Sequence, residues 1–158
     1  MNSDNTTVDR AQNGIDTRKG WMSLLATAKE SALQDLWQRY GKNPDHDWLR
    51  APEAGGVMVR GRMGASGAPF NLGEMTVTRC ALTLADGTVG HGYVQGRSKT
   101  KAEIAAKIDA LMQTEAADGL RQAVLTPLQA DKQAEQTRRA AKAAATKVDF
   151  FTMVRGED

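Results

Sequence analysis

The sequence is poor in the residues from which self-contained active sites are usually built. Its 158 residues include one cysteine, two histidines and four prolines, and only 5% are aromatic. A single cysteine excludes an intramolecular disulfide framework, and Cys80 sits among apolar neighbours, which suits a small core residue better than a nucleophile. Apart from His91, no further cysteine or histidine is at hand to complete a metal centre around His46. Asp45-His46-Asp47 could pass for a metal cluster, but adjacent residues cannot all converge on one ion, so it reads as a solvated turn. A net charge of +2 argues against an obligate nucleic-acid binder, although a sequence pI near 8.8 leaves room for a local anion site. Phenylalanine and tyrosine are too scattered to form a stacking platform for single strands. No apolar run approaches the roughly 20 residues that cross a bilayer, and the polar start Met1-Asn-Ser-Asp-Asn-Thr-Thr7 lacks a secretory core. The expected location is the cytoplasm, with no membrane contact.

What the chain does have is glycine, arginine and strand-forming residues concentrated between Gly56 and Arg97. Val57, Val59 and Met63 alternate with Met58, Arg60 and Arg62, so an extended segment carries both arginines on one face. Gly64-Ala-Ser-Gly-Ala-Pro69 then reads as a loop. It lacks the Gly-Lys-Ser/Thr of a P-loop, so it is no nucleotide site by itself. Glu74 to Leu84 reads as a second strand, and Asp86-Gly87 predicts a two-residue type I′ turn into a third, Thr88 to Gln95. That turn pairs Leu84 with Val89, Leu82 with His91 and Cys80 with Tyr93 on the core face. Gly90 and Gly92 fall on the opposite face, where bare backbone invites close approach by a helix, a subunit or a ligand. In this register His91 is a hydrogen-bonded core histidine rather than a general base.

Around this centre the expected elements are helical. A broad apolar stripe from Trp21 to Tyr40 predicts one helix beginning at Thr17 and ending at Gly41. Residues 43–56 read as a connector with one helical turn near Trp48. Thr100-Lys-Ala-Glu103 matches a capping box that opens another helix, and Thr126-Pro-Leu-Gln129 matches a second that opens a new one. Gln129 to Lys147, rich in alanine and basic residues, is helical by propensity, with its charges read as a solvated face. Val148 to Gly156 returns to strand composition and would join the sheet, bringing Arg155 towards Arg60. The expectation is therefore an α+β fold: an antiparallel sheet with a central Asp-Gly hairpin, an N-terminal helix, C-terminal helices and a C-terminal strand. Residues 1–15 are expected to be disordered and 16–158 to form a single domain.

Several of these segments also carry a resemblance. Met58-Val-Arg-Gly-Arg62, Gly67-Ala-Pro-Phe-Asn-Leu-Gly-Glu-Met-Thr-Val-Thr-Arg-Cys80, Gly90-His91, Tyr93-Val94, Gly96-Arg97 and Val148-Asp-Phe-Phe-Thr-Met-Val-Arg-Gly-Glu157 resemble the signature segments of the PhnG family, the G subunits of the bacterial carbon-phosphorus lyase system. The resemblance implies a subunit of α-D-ribose 1-methylphosphonate 5-triphosphate synthase, which acts with PhnH, PhnI and PhnL to displace adenine from ATP by methylphosphonate. It implies a stable core complex with PhnH, PhnI and PhnJ, and nucleosidase chemistry held by PhnI. It assigns no catalytic residue to this chain, no metal, and no cofactor bound by this chain alone, ATP being a co-substrate of the complex.

Arginine offers a planar fork for phosphonate or triphosphate oxygens. Arg60, Arg62, Arg79, His91, Arg97 and Arg155 are therefore the candidate site residues, serving either as an anion subsite or as charged contacts to other subunits. The alternative is a purely structural subunit that organises its partners without lending groups to the active site.

Overall fold

The computed structural model describes residues 14–148. It has an α+β architecture in which helices cover one face of a three-stranded antiparallel sheet of order β1-β2-β3. The strands are β1 (His46–Arg62), β2 (Pro69–Leu84) and β3 (Val89–Gln95). Two helices precede them, α1 (Arg18–Thr27) and α2 (Glu30–Tyr40); after them come α3 (Lys99–Leu111), the short α4 (Ala117–Leu120) and α5 (Thr126–Ala145). The expected C-terminal strand and Arg155 lie outside the described residues, as does nearly all of the expected disordered N-terminus.

The N-terminal apolar stripe forms two helices instead of one. Thr17 caps α1 by accepting a hydrogen bond from the Gly20 amide, and the chain becomes extended at Ala28 and Lys29 before α2 begins. This break lets Trp21, Leu24 and Leu25 on α1 and Leu33 and Trp37 on α2 enter the core from different directions. Gly41 ends α2 at φ 72° with its amide on the Trp37 carbonyl, the expected left-handed cap. The residues after it do not form a connector with a helical turn. Strand begins at His46, and its irregular sequence is absorbed by register shifts between Trp48 and Glu53.

The β2–β3 connection corrects the expected register. Leu84 and Thr88 bond across a three-residue loop, Ala85-Asp86-Gly87, in which only Gly87 takes a positive φ, 87°. The Asp86 carboxylate accepts from the Thr88 amide and holds the loop. Leu82 consequently pairs with Gly90, Cys80 with Gly92 and Thr78 with Val94. A slip of one residue exchanges the faces of a strand: Gly90 and Gly92 lie on the core side, while His91 and Tyr93 point outward and are exposed.

These two glycines let α3 lie on the sheet at backbone distance. A Cβ on Gly90 would fall 2.1 Å from the Ala106 carbonyl oxygen, and one on Gly92 would fall 2.1 Å from that of Ala102. Ala102, Ala105 and Ala106 are buried along the facing side of the helix. The close approach expected at these glycines is thus made by a helix of the same chain. Ser98, and not Thr100, caps α3, accepting from the Lys101 amide. The second expected capping box does not operate either. Leu125, the residue before α5, is already helical and gives no side-chain cap, because a π-helical turn over Arg121–Leu125 runs straight into α5.

Cys80 is buried under this contact, its thiol donating to the Ala102 carbonyl at 3.2 Å. Burial pushes the thiol up from 9.0 to about 11. The folded state therefore holds this proton more tightly than the unfolded chain does, so the associated stability is intact below pH 9 and lost as pH rises towards 11. Unfolding measured from pH 8 to 11 should show a steeper alkaline loss for the wild type than for Cys80→Ala. Gly92→Ala, which forces α3 off the sheet, should cost about 2–3 kcal/mol and lower Tm by roughly 5–10 °C in a thermal melt.

Candidate functional site

β1 and β2 continue well past the end of β3. Beyond the Gly55–Val77 pair they form a two-stranded arm, with Val57 paired to Met75, Val59 to Gly73 and Arg62 to Pro69. The tip is a 3₁₀ turn, Met63–Ala65, in which Gly64 and Ala65 both have positive φ. The Arg62 guanidinium donates to the Gly67 carbonyl, and the Gly67 amide donates to Met63. The amide of Gly67 is thus engaged within the loop and does not face an anion.

Alternation along β1 puts Met58, Arg60 and Arg62 on one face of the arm, as the sequence pattern predicts, with Glu74 opposite Met58. Arg60 is exposed and has no hydrogen-bonding or ion-pairing partner among the described residues.

Arg79 lies elsewhere, on the outer face of the sheet. It stands between Glu53 and Tyr93 in a cross-strand row, beside a second row of Arg50, Ala81 and His91. Arg79 Nε donates to Glu53 Oε1 at 3.1 Å, and Arg50 bonds to the same oxygen. Against the upward push of desolvation, these two guanidiniums hold the Glu53 carboxyl below its ordinary value. The His91 imidazole is exposed on this face and makes no side-chain hydrogen bond among the described residues, so the core-histidine expectation is corrected. Arg97 is exposed in the turn between β3 and α3.

The described candidates therefore occupy three places. Arg79 and His91 share the outer sheet face, and Arg60 and Arg62 share the arm. Arg97 lies apart at the sheet corner. Arg60 pairs with Asn71, eight residues along β2 from Arg79, a distance of about 26 Å at strand rise. Within one chain they do not converge on a single anion.

Pattern reading missed the residue that orders this region. Asp109 on α3 is 0% exposed and accepts from Arg18 Nε (3.1 Å), Arg18 Nη2 (2.7 Å), Trp21 Nε1 (2.9 Å) and the His91 amide (2.9 Å). The hydrogen bonds to Asp109 raise the Arg18 pKa, with burial opposing. The available signal was an acid immediately beside the apolar positions Ile104, Ile108 and Leu111, on a helix whose other charges included Lys101 and Lys107, also buried.

No nucleophile–base pair forms among the described residues, and they contain no group of three or more metal-ligating side chains. Cys80 is closed off by α3. Asp45, His46 and Asp47 run into an edge strand, where the His46 ring packs edge-on against Trp48 at 4.8 Å. The chemistry on offer is that of a surface with exposed guanidiniums, apolar side chains and one imidazole.

The model of a family described as phosphonate metabolism protein PhnG matches residues 16–156. The chain belongs to the PhnG family. It is 46% identical over 145 residues to the alpha-D-ribose 1-methylphosphonate 5-triphosphate synthase subunit PhnG of Rhizobium meliloti (strain 1021), a match covering 92% of this chain and 93% of that protein. The matched range takes in the arm and both arginine-bearing faces, so the PhnG likeness extends to the whole candidate surface. Among the described residues no helix is long and apolar enough to cross a membrane.

Asp109→Asn would place an amide group among four donor contacts. It should destabilise the chain by about 3 kcal/mol, the lower end for breaking a buried pair, since the Arg18 side chain is 44% exposed. The expected readout is a Tm fall of roughly 6–12 °C.

Proposed function

We propose that this chain is a subunit of the enzyme that displaces adenine from ATP with methylphosphonate in organic phosphonate catabolism. In that reaction a phosphonate oxygen attacks the ribose C1′, the bond to adenine breaks, and adenine leaves with the electron pair to be protonated. The product is ribose 1-methylphosphonate 5-triphosphate. An ionised phosphonate oxygen is already a nucleophile and needs orientation more than deprotonation, so the reaction does not require this chain to supply a base.

The observation that carries this reading is end-to-end similarity to a protein named as a subunit of that synthase. The absence of an acid–base or nucleophilic constellation among the described residues supports a chain that works with others. Its partners are PhnH, PhnI, PhnJ and PhnL, in the cytoplasm, and it binds no cofactor alone. ATP and methylphosphonate are substrates of the assembly.

A second reading, a purely scaffolding subunit, is favoured by one specific feature: Arg79, the arginine at the centre of the outer face, is already ion-paired to Glu53. Adenine release from ATP and methylphosphonate should require this chain together with its companions. Release by the isolated chain, or release unchanged when the chain is omitted, would overturn the proposal. Arg79→Gln divides the two roles. A complex that assembles normally with KM for methylphosphonate raised tenfold or more supports a group lent to the active site, whereas lost co-purification supports a scaffold.

A further inference from the structure

The arm is the least self-sufficient part of the chain. Between Gly55 and Met75 it has two strands only among the described residues, and a two-stranded ribbon is marginal in water without a third strand or a packed face. Among the described residues no helix covers it: every residue from Gly55 to Arg62 and from Ala68 to Met75 is exposed or half-buried. It nevertheless displays large apolar side chains, with Leu72 66% exposed and Met63 78% exposed.

The two faces of the arm differ. One is apolar, carrying Val57 opposite Met75, with Phe70 laid over Gly61 (3.6 Å from ring Cζ to the position of a Cβ) and Leu72 beside it. The other carries Met58, Arg60 and Arg62, with Glu74 the one acid across from them.

We infer that the arm is the docking element of this chain. Its occupant is a groove in a different subunit of the complex, with one apolar wall and one wall bearing carboxylates. This rests on the subunit reading above and adds where assembly takes place and what chemistry receives it.

Size argues for a groove. Seven residue pairs make a ribbon about 23 Å long and roughly 10 Å wide, so one face presents a footprint of about 230 Å². A stable interface buries about 800 Å² on each partner. Only a partner that meets both faces and the tip approaches that figure. Charge argues against a second copy of the same chain. A two-fold contact sets a surface against itself; the arginine face would then oppose four guanidiniums to two carboxylates, and an apolar-face dimer would leave the arginines bare. Carboxylates on a foreign wall satisfy Arg60, which has no partner among the described residues.

The test uses the full chain co-expressed with its companion subunits, with co-purification and salt-dependent binding as readouts. Arg60→Glu and Leu72→Asp alter exposed positions on opposite faces, and each should keep the thermal midpoint of the isolated chain within about 2 °C. Each should weaken assembly at least tenfold, with Arg60→Lys within about threefold of wild type and wild-type binding falling as salt is raised. Assembly within twofold of wild type for both variants overturns the inference while leaving the subunit reading intact. A stable homodimer of the isolated chain that either substitution splits overturns it in favour of a second copy as occupant. Failure of the wild-type chain to join any companion overturns the subunit reading itself, and the arm assignment with it.

Discussion

A single buried carboxylate joins the three elements on which the body depends. Asp109 takes two hydrogen bonds from Arg18 and one from Trp21 on the first turn of α1, and one from the His91 amide on β3. A buried carboxylate is tolerable only when its lone pairs are filled, and here every donor comes from a different element than the helix that bears it. The consequence is geometric as well as energetic. α3 must sit close enough to the sheet for Asp109 to reach backbone, and Gly90 and Gly92 are what permit that distance. Neither feature would be useful without the other.

The same contact closes one edge of the sheet. The outward amide of His91 is taken by Asp109, and the outward carbonyl of Val89 by the Gln113 side chain. Polar groups satisfied in this way are closed to another strand at those two positions. The side of β3 is therefore partly closed by α3, whereas among the described residues no element lies along the outer side of β1 or the arm. The body also explains why Cys80 is chemically quiet: the helix that covers the two glycines covers the thiol as well.

Much of this could be read from residue order, and the failures have definite causes. Alternation from Val57 to Arg62, the Gly41 cap, the alanine-rich last helix and the need for something close against Gly90 and Gly92 all follow from local chemistry that the fold leaves intact. The hairpin register does not, because Asp-Gly fits a two-residue type I′ turn and also a longer loop with a single positive φ at the glycine; the difference of one residue moved His91 from core to surface. β1 was obscured by bulges that break its period between Trp48 and Glu53. Asp109 was obscured because an acid in a helix reads as a solvent-facing residue, and only the tertiary meeting of Arg18, Trp21 and β3 makes its burial affordable. The scatter of the arginines is likewise a matter of topology, since residues that lie close in a strand-rich sequence are separated along an extended arm.

How β1 treats its own edge separates the part of the sheet that is complete from the part that is not. Near the body the edge is guarded: Pro52 removes a donor, the register shifts between Trp48 and Glu53 disturb pairing, and Arg50, Glu53 and Arg79 set charge across the outer face. These are the ordinary devices by which strands avoid unwanted partners. Past Glu53 they stop. From Ala54 to Val59 the strand has no proline, no charge and no bulge on its own side, and the apolar face of the arm begins there. Among the described residues the edge is thus guarded up to the boundary of the body and uncovered beyond it, which is where the arm inferred above to dock begins, with Arg60 and Arg62 at its far end.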